Sequence, residues 1–273
     1  MSRIDDVINS APADAVVSVW AGPLTGEPTF THRAEETHYA ASTIKVPLVL
    51  AALGEAEAGR LDLDAPVLIK NLFTSVKDGS PFQMDDSEDS DQEPWSRIGA
   101  TAPLRWLCRR AIVRSSNLAT NLVFETVGAD AIAEVFTACG ATDSMMTRGI
   151  EDAAAREAGY DNRVTARDLA ELFRAIADGR AVGPEGTAEL RDILSAQELV
   201  DGIPAGLPAG TKVEHKTGSI TGVKHDSGIV LPAEGDPYVL VVCTSGAGTD
   251  EEGAELIKNI SAAVWDEQVS SAA

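Results

Sequence analysis

Apolar positions recur along this chain with two periods, and the places where the period changes outline its architecture. Ile4, Val7 and Ile8 share one helical face, and Ala15-Val16-Val17-Ser18-Val19-Trp20 then reads as a buried strand ended by Gly22-Pro23 and Gly26. A second strand is expected from Thr29 to Thr31 and beyond. From Ser42 the pattern turns helical through Val46, Leu48, Val49, Leu50 and Leu53, and it stays mainly helical to about residue 195. Within that stretch Leu169, Leu172, Phe173 and Ile176 follow helical spacing, with Thr165 placed as N-cap. Strands return at Val213 to Ile220, Asp226 to Leu231 and Tyr238 to Thr244, separated by Gly and Pro. A last helix starts at Thr249, whose Thr-x-x-Glu252 forms a capping box, and buries Leu256, Ile257, Ile260 and Val264.

Helix, strands, a long helical middle, strands and helix make an α+β protein. The terminal strands meet in one antiparallel sheet, flanked by helices, only if the middle is an inserted, all-helical lobe. The expected organisation is one unit over 1–273, with residues 1–41 and 196–273 forming an α/β lobe and 42–195 the helical lobe. No internal repeat is evident.

Composition narrows the function. Forty-three acidic residues against 22 Lys plus Arg give a net charge of −21, which repels nucleic acid and anionic lipid. No apolar run reaches membrane-spanning length. Six of the carboxylates fall between Asp85 and Glu93, where cation-ligand spacing and a turn glycine are missing, so this run reads as a solvated loop. Cys108, Cys139 and Cys243 sit in apolar segments without metal or redox spacing and read as buried free thiols. His32 and His38 have no metal-ligand spacing, so neither metal nor cofactor is expected. Arg105, Arg109, Arg110 and Arg114 form a helical face that balances nearby acids. The chain opens without a secretory signal, which places it in the cytoplasm as given, or outside the cell if it was trimmed.

The chemistry starts at Ser42-Thr43-Ile44-Lys45, where a hydroxyl and an amine three residues apart on a helix can touch. Serine needs an adjacent base, and lysine becomes one only when desolvation and a helix N-terminus lower its pKa. The Ser42 N–H, at the same helix end, can serve as half of an oxyanion hole. Pro47 cannot donate to the Thr43 carbonyl, so this first turn is expected to be distorted. Ser-x-x-Lys occurs by chance roughly once in a chain of this length; two more motifs, farther along the chain, give it significance. Lys216-Thr217-Gly218 falls on a predicted strand, and Ser115-Ser116-Asn117 lies where one helix ends and another begins.

Ser-x-x-Lys, Ser-x-Asn and Lys-Thr-Gly, in this order, resemble the motif set of class A β-lactamases and penicillin-binding proteins. The flanks Ala41-Ser42-Thr43-Ile44-Lys45-Val46-Pro47, Leu207-Pro208-Ala209-Gly210 and His215-Lys216-Thr217-Gly218-Ser219 extend the resemblance over nearly the whole chain. It implies a β-lactamase/transpeptidase-like fold and opening of a β-lactam amide through an acyl-Ser42 intermediate. The alternatives are a D-Ala-D-Ala-type peptidase or small esterase with the same machinery, or a sensor that is acylated and stops. It further implies that Ser115 relays protons between Lys45 or Lys216 and the leaving nitrogen, and that Asn117 holds a substrate amide. Lys216 and Thr217 would engage the substrate carboxylate, Gly218 would let substrate lie against the strand, and Ser219 would give the second oxyanion N–H. Ser116 replaces the usual Asp of the middle motif. The family's Glu-x-x-Leu-Asn segment is matched only by Glu151, followed by Ala154-Ala155, with Arg148 three residues before it. Glu151 or the adjacent Asp152 is the candidate for activating the deacylating water. His225-Asp226 reads as a structural hydrogen bond at a strand start.

Overall fold

The computed structural model describes residues 2–270. The sheet strands are β1 (Val16–Pro23), β2 (Phe30–His32), β3 (Lys212–Ile220), β4 (Val223–Leu231) and β5 (Tyr238–Ser245). The main helices are α1 (Arg3–Asn9), α2 (Lys45–Glu57), α3 (Leu104–Val113), α4 (Asn117–Val127), α5 (Ala129–Cys139), α6 (Ala166–Ala177), α7 (Pro184–Ser195) and α8 (Asp250–Ser270). The strands form one antiparallel sheet in the order β3-β4-β5-β1-β2. The two ends of the chain therefore meet at β1 and β5, with Val16 opposite Ser245 and Pro23 opposite Tyr238. This is the expected α+β architecture.

Strand β5 explains why an antiparallel strand can read as an unbroken apolar run. Its successive side chains point to opposite faces, and both faces are covered. Tyr238, Leu240 and Val242 join Ile4 and Ile8 of α1 and Ile257, Ile260 and Val264 of α8. Val239, Val241 and Cys243 pack instead with Leu169 and Phe173 of α6 and the larger helical core. The capping box of α8 forms as expected, with Glu252 N–H donating to Thr249 Oγ1 at 3.2 Å and Thr249 N–H to Glu252 Oε2 at 2.8 Å.

The middle of the chain is not all-helical. Pro66–Leu68 pairs with Thr101–Pro103, Phe73–Thr74 pairs with Pro81–Phe82, and His38–Tyr39 pairs with Asn162–Val164, which also pairs with Met145–Met146. Asp62, Asp64, Pro66 and the Asp78-Gly79-Ser80-Pro81 turn interrupt any helix there.

The acidic run also departs from expectation. Asp85, Asp86 and Glu88 are exposed, but Asp89 and Asp91 are buried. Asp91 accepts from the Arg110 guanidinium, with Nε at 2.6 Å from Oδ2, and from Glu93 N–H at 3.2 Å. The other three arginines of that α3 face pair with carboxylates as expected: Arg105 with Asp64 and Glu189, Arg109 with Asp192, and Arg114 with Glu198. Asp91→Ala leaves Arg110 with Glu93 as its remaining acid. A lost hydrogen bond to a charged group costs about 1.5–3 kcal/mol, so Tm should fall by roughly 4–10 °C in a thermal melt. An unchanged melt would return the run to a solvated role.

All three cysteines are buried and free, and burial pushes the Cys108 thiol up to about 12, far from reactive thiolate. Among the described residues no helix is long and apolar enough to cross a membrane.

Candidate active site

Ser42 lies on a 3-10 turn, Ala41–Ile44, that runs directly into α2. The sequence places Ser42 at the start of an α-helix; the helix begins at Lys45 instead. Lys45 N–H bonds the Ser42 and Thr43 carbonyls, and Pro47 has no N–H with which to extend α-helical bonding back to Thr43. Side chains three apart eclipse on such a turn, so Ser42 and Lys45 stand one above the other. Ala41 adopts φ 44°, a left-handed conformation costing roughly 1–2 kcal/mol, and flanking bonds hold it. Ala40 N–H donates to Asn162 O at 2.9 Å, Thr43 Oγ1 donates to Ala40 O at 2.6 Å, and His225 Nε2 bonds Tyr39 O at 2.8 Å. Nδ1 lies 2.8 Å from Lys224 O and 3.1 Å from Thr244 N, so backbone groups hold both ring nitrogens. Burial lowers the His225 pKa and keeps the ring neutral. Asp226 turns the other way, to His215 Nδ1 at 2.9 Å and Ile203 N–H at 2.8 Å. His225 and Asp226 are thus structural, though not as a pair.

Lys45 is fully buried. Its amine donates to Ser115 O at 2.7 Å and Asn117 Oδ1 at 2.7 Å and lies 3.3 Å from Ser115 Oγ. The expected contact with the Ser42 hydroxyl is not among these bonds. Burial lowers the Lys45 pKa to about 7, against the opposing pull of Asp89 and Glu151. Lys216, on β3, approaches from the other side, with Nζ 3.0 Å from Ser115 Oγ and 2.8 Å from Thr217 O. Burial, and then repulsion from Lys45, push Lys216 well below its ordinary value. One hydroxyl therefore bridges two desolvated amines. When Lys45 is neutral, Ser115 can donate to it while accepting from Lys216, which makes a short proton path. Ser115 adopts φ 56°, so its own backbone is held out of the ordinary helical region.

Glu151 also has a left-handed backbone, φ 62°. Its Oε2 accepts from Asp85 N–H at 2.9 Å, while Oε1 is buried without a hydrogen-bond partner. Burial, reinforced by the carboxylates of Asp85, Asp89 and Glu88, raises its pKa despite the Asp85 bond. Asp152 is occupied: Ser75 Oγ, Val76 N–H and Ala155 N–H all donate to it within 3.1 Å. Of the two carboxylates considered, only Glu151 has an oxygen to spare.

Ser42 stands at the junction of two cavities. One, of about 720 Å³, is also lined by Tyr39, Asn117, Glu151, Arg156 and Ser219. The other, of about 580 Å³, shares Ser42, Asn117 and Ser219 and adds Ser115, Thr217 and Lys224. Asn117 is already engaged, since its Nδ2 donates to Glu88 O at 3.1 Å. Ser219 Oγ bonds Asp250. Gly218 has a purpose beyond the expected one: a Cβ there would lie 3.1 Å from the backbone nitrogens of Ser42 and Thr43. The absence of a side chain lets β3 close on the Ser42 turn.

Three further residues carry no motif that sequence reasoning picks up. Lys224 lies opposite Ser219 across the β3–β4 hairpin and bonds Asp201 at 2.7 Å and Asp250 at 2.8 Å. The two-residue Thr221-Gly222 turn fixes that register and could have revealed it. Asn121, four residues after Asn117 on α4, clamps Ile150 next to Glu151, accepting from its N–H at 2.7 Å and donating to its carbonyl at 2.9 Å; the i, i+4 spacing was a usable signal. Asp89 had none, since it looks like its exposed neighbours.

A profile of the beta-lactamase enzyme family matches residues 1–268. A beta-lactamase of Bacteroides uniformis is 28% identical, with 97% of this chain and 90% of that protein covered. The extended-spectrum beta-lactamase PER-1 of Pseudomonas aeruginosa is 25% identical, with 93% and 82% covered. Among solved structures, a beta-lactamase from Sphaerobacter thermophilus superposes with a TM-score of 0.83 at 25% identity, covering 98% of this chain and 97% of that one.

Proposed function

The chain belongs to the beta-lactamase enzyme family and has a β-lactamase-like function, and from that premise we propose that it opens a β-lactam amide through an acyl-Ser42 intermediate. Neutral Lys45 takes the Ser42 proton as Oγ attacks the ring carbonyl. The backbone N–H groups of Ser42 and Ser219 receive the developing oxyanion. As the C–N bond breaks, Ser115 passes a proton to the leaving nitrogen and is reprotonated from the lysine side. Asn117 orients the substrate side chain. Lys216 and Thr217, with Lys224 beside them, meet the substrate carboxylate. Glu151 Oε1 then takes a proton from a water that attacks the ester, releasing the opened product and restoring Ser42.

The observation that carries this reading is the position of Ser115 Oγ, 3.3 Å and 3.0 Å from two buried amines in the cleft that holds Ser42. Intact mass together with a chromogenic cephalosporin assay tests it: turnover with a transient adduct on Ser42 is expected, and neither colour nor adduct would overturn it. The pH profile gives an independent check. Below about 7 Lys45 is an ammonium and cannot accept a proton, so the acylation rate should fall about tenfold per pH unit there and level off above. A limb near pH 4 would assign the base elsewhere.

A further inference from the structure

Ser116 occupies the position where the middle motif of related enzymes carries an aspartate, yet a carboxylate does reach this loop. Asp89 is buried against it. Its Oδ2 accepts from Leu118 N–H at 2.8 Å, Trp95 Nε1–H at 2.9 Å and the Ser116 hydroxyl at 3.2 Å, while Oδ1 accepts from Asp91 N–H at 3.0 Å. Ser116 Oγ in turn accepts from Ala119 N–H at 3.1 Å and caps α4. The neighbours of Asp89 grip the same junction: Ser90 Oγ donates to Arg114 O at 2.6 Å, and Asp91 holds Arg110. Three consecutive residues thus anchor the turn between α3 and α4, the turn in which Ser115 is held at φ 56°.

We propose that Asp89 is a positioning residue for the reaction, supplying from a different segment of the chain the carboxylate that Ser116 lacks, and acting through Ser115, Asn117 and Lys45. The inference rests on Ser42 and Lys45 being the acylating pair. It has a geometric part and an electrostatic part. Geometrically, both oxygens of Asp89 are acceptors for buried donors, and an amide in its place offers one acceptor and turns an N–H₂ toward the rest. Electrostatically, Lys45 is faced by Asp89, by Glu151 and, across Ser115, by Lys216. The two carboxylates favour its charged form, opposing the burial that lowers it. Removing the charge at 89 therefore makes Lys45 lose its proton at lower pH.

The test is a cycle of Asp89→Asn, Ser116→Asp and the double variant, reading single-turnover acylation by a chromogenic cephalosporin against pH in the full chain. Asp89→Asn should acylate roughly tenfold more slowly on its plateau, the effect of losing a hydrogen bond to a buried charge, with its acid limb displaced to lower pH. Ser116→Asp alone puts two carboxylates in contact and should also slow the reaction, with the limb moved upward. The double variant returns one carboxylate and one cap to the loop and should recover to within about threefold of the wild-type rate, with the limb back in place. A double variant no better than the product of the single effects, or an Asp89→Asn limb that does not move, overturns the proposal. If Asp89→Asn fails to fold, the double variant compared with wild type decides alone. A wild-type chain that never acylates would refute the Ser42 reading instead, so the two failures are distinguishable.

Discussion

Ser42→Ala should eliminate both β-lactam turnover and the covalent adduct, with kcat falling roughly 10⁴–10⁶-fold, as when the nucleophile of a serine hydrolase is removed. The size of the loss follows from the absence of a substitute. Ser115 offers a hydroxyl to both amines, but its Oγ is committed between Lys45 and Lys216. Ser219 donates to Asp250 at the lip of the cleft. Neither stands at the end of α2, where a helix N-terminus stabilises the oxyanion of an acylation reaction. Ser115→Ala is the informative companion: it should slow acylation by about 10²–10⁴-fold, the range of a lost general acid–base group, while still allowing a slow mass increase on Ser42. An adduct that persists in Ser42→Ala after a peptide map would show that the cleft reacts through another group, and the assignment of Lys45 as base would fall with it.

How much of this is legible in the sequence depends on how each residue announces itself. α8 is readable because burial on a fixed face imposes a period, β5 because an unbroken apolar run bounded by Gly and Pro marks a strand covered on both faces, and the site lysines because Ser-x-x-Lys and Lys-Thr-Gly bring their chemistry in contiguous motifs. The short ladders such as Pro66–Leu68 with Thr101–Pro103 leave no period to read. Asp89 and Asp91 depart from the solvated loop expected of them because a charge run carries no local mark of which carboxylate will find a buried partner; that is decided by Ser116, Leu118 and Arg110, far along the chain. Pro47 foretells a distorted first turn, but not that the turn is 3-10 and displaces the helix start to Lys45. The same limit applies at Glu151, where its neighbours Ala154 and Ala155 weaken the motif. No local pattern shows that Asp152 is fully engaged and Glu151 left with a spare oxygen.

That spare oxygen leads to the second large effect. Glu151→Gln should leave acylation measurable and slow hydrolysis of the acyl-enzyme by about 10³-fold, within the range of a removed general base. Glutamine keeps the size of the side chain and an acceptor for Asp85 N–H, so the loop clamped by Asn121 stays in place, and only proton acceptance at Oε1 is lost. The expected record is a burst of one equivalent of product followed by a stalled phase, with the opened β-lactam retained in the intact mass. The pH dependence should separate the two half-reactions in the wild-type chain. Burial and the neighbouring carboxylates raise the Glu151 pKa, so deacylation should lose its base as pH falls through that raised value, and acylation should lose its own as pH falls below about 7 with Lys45. Ala155 is completely buried and has no polar group with which to help hold a water, so the predicted loss rests on Glu151 alone. Unchanged steady-state turnover in Glu151→Gln would move the deacylating base elsewhere. Loss of acylation together with deacylation would mean instead that Glu151 and Lys45 share the proton in the first step.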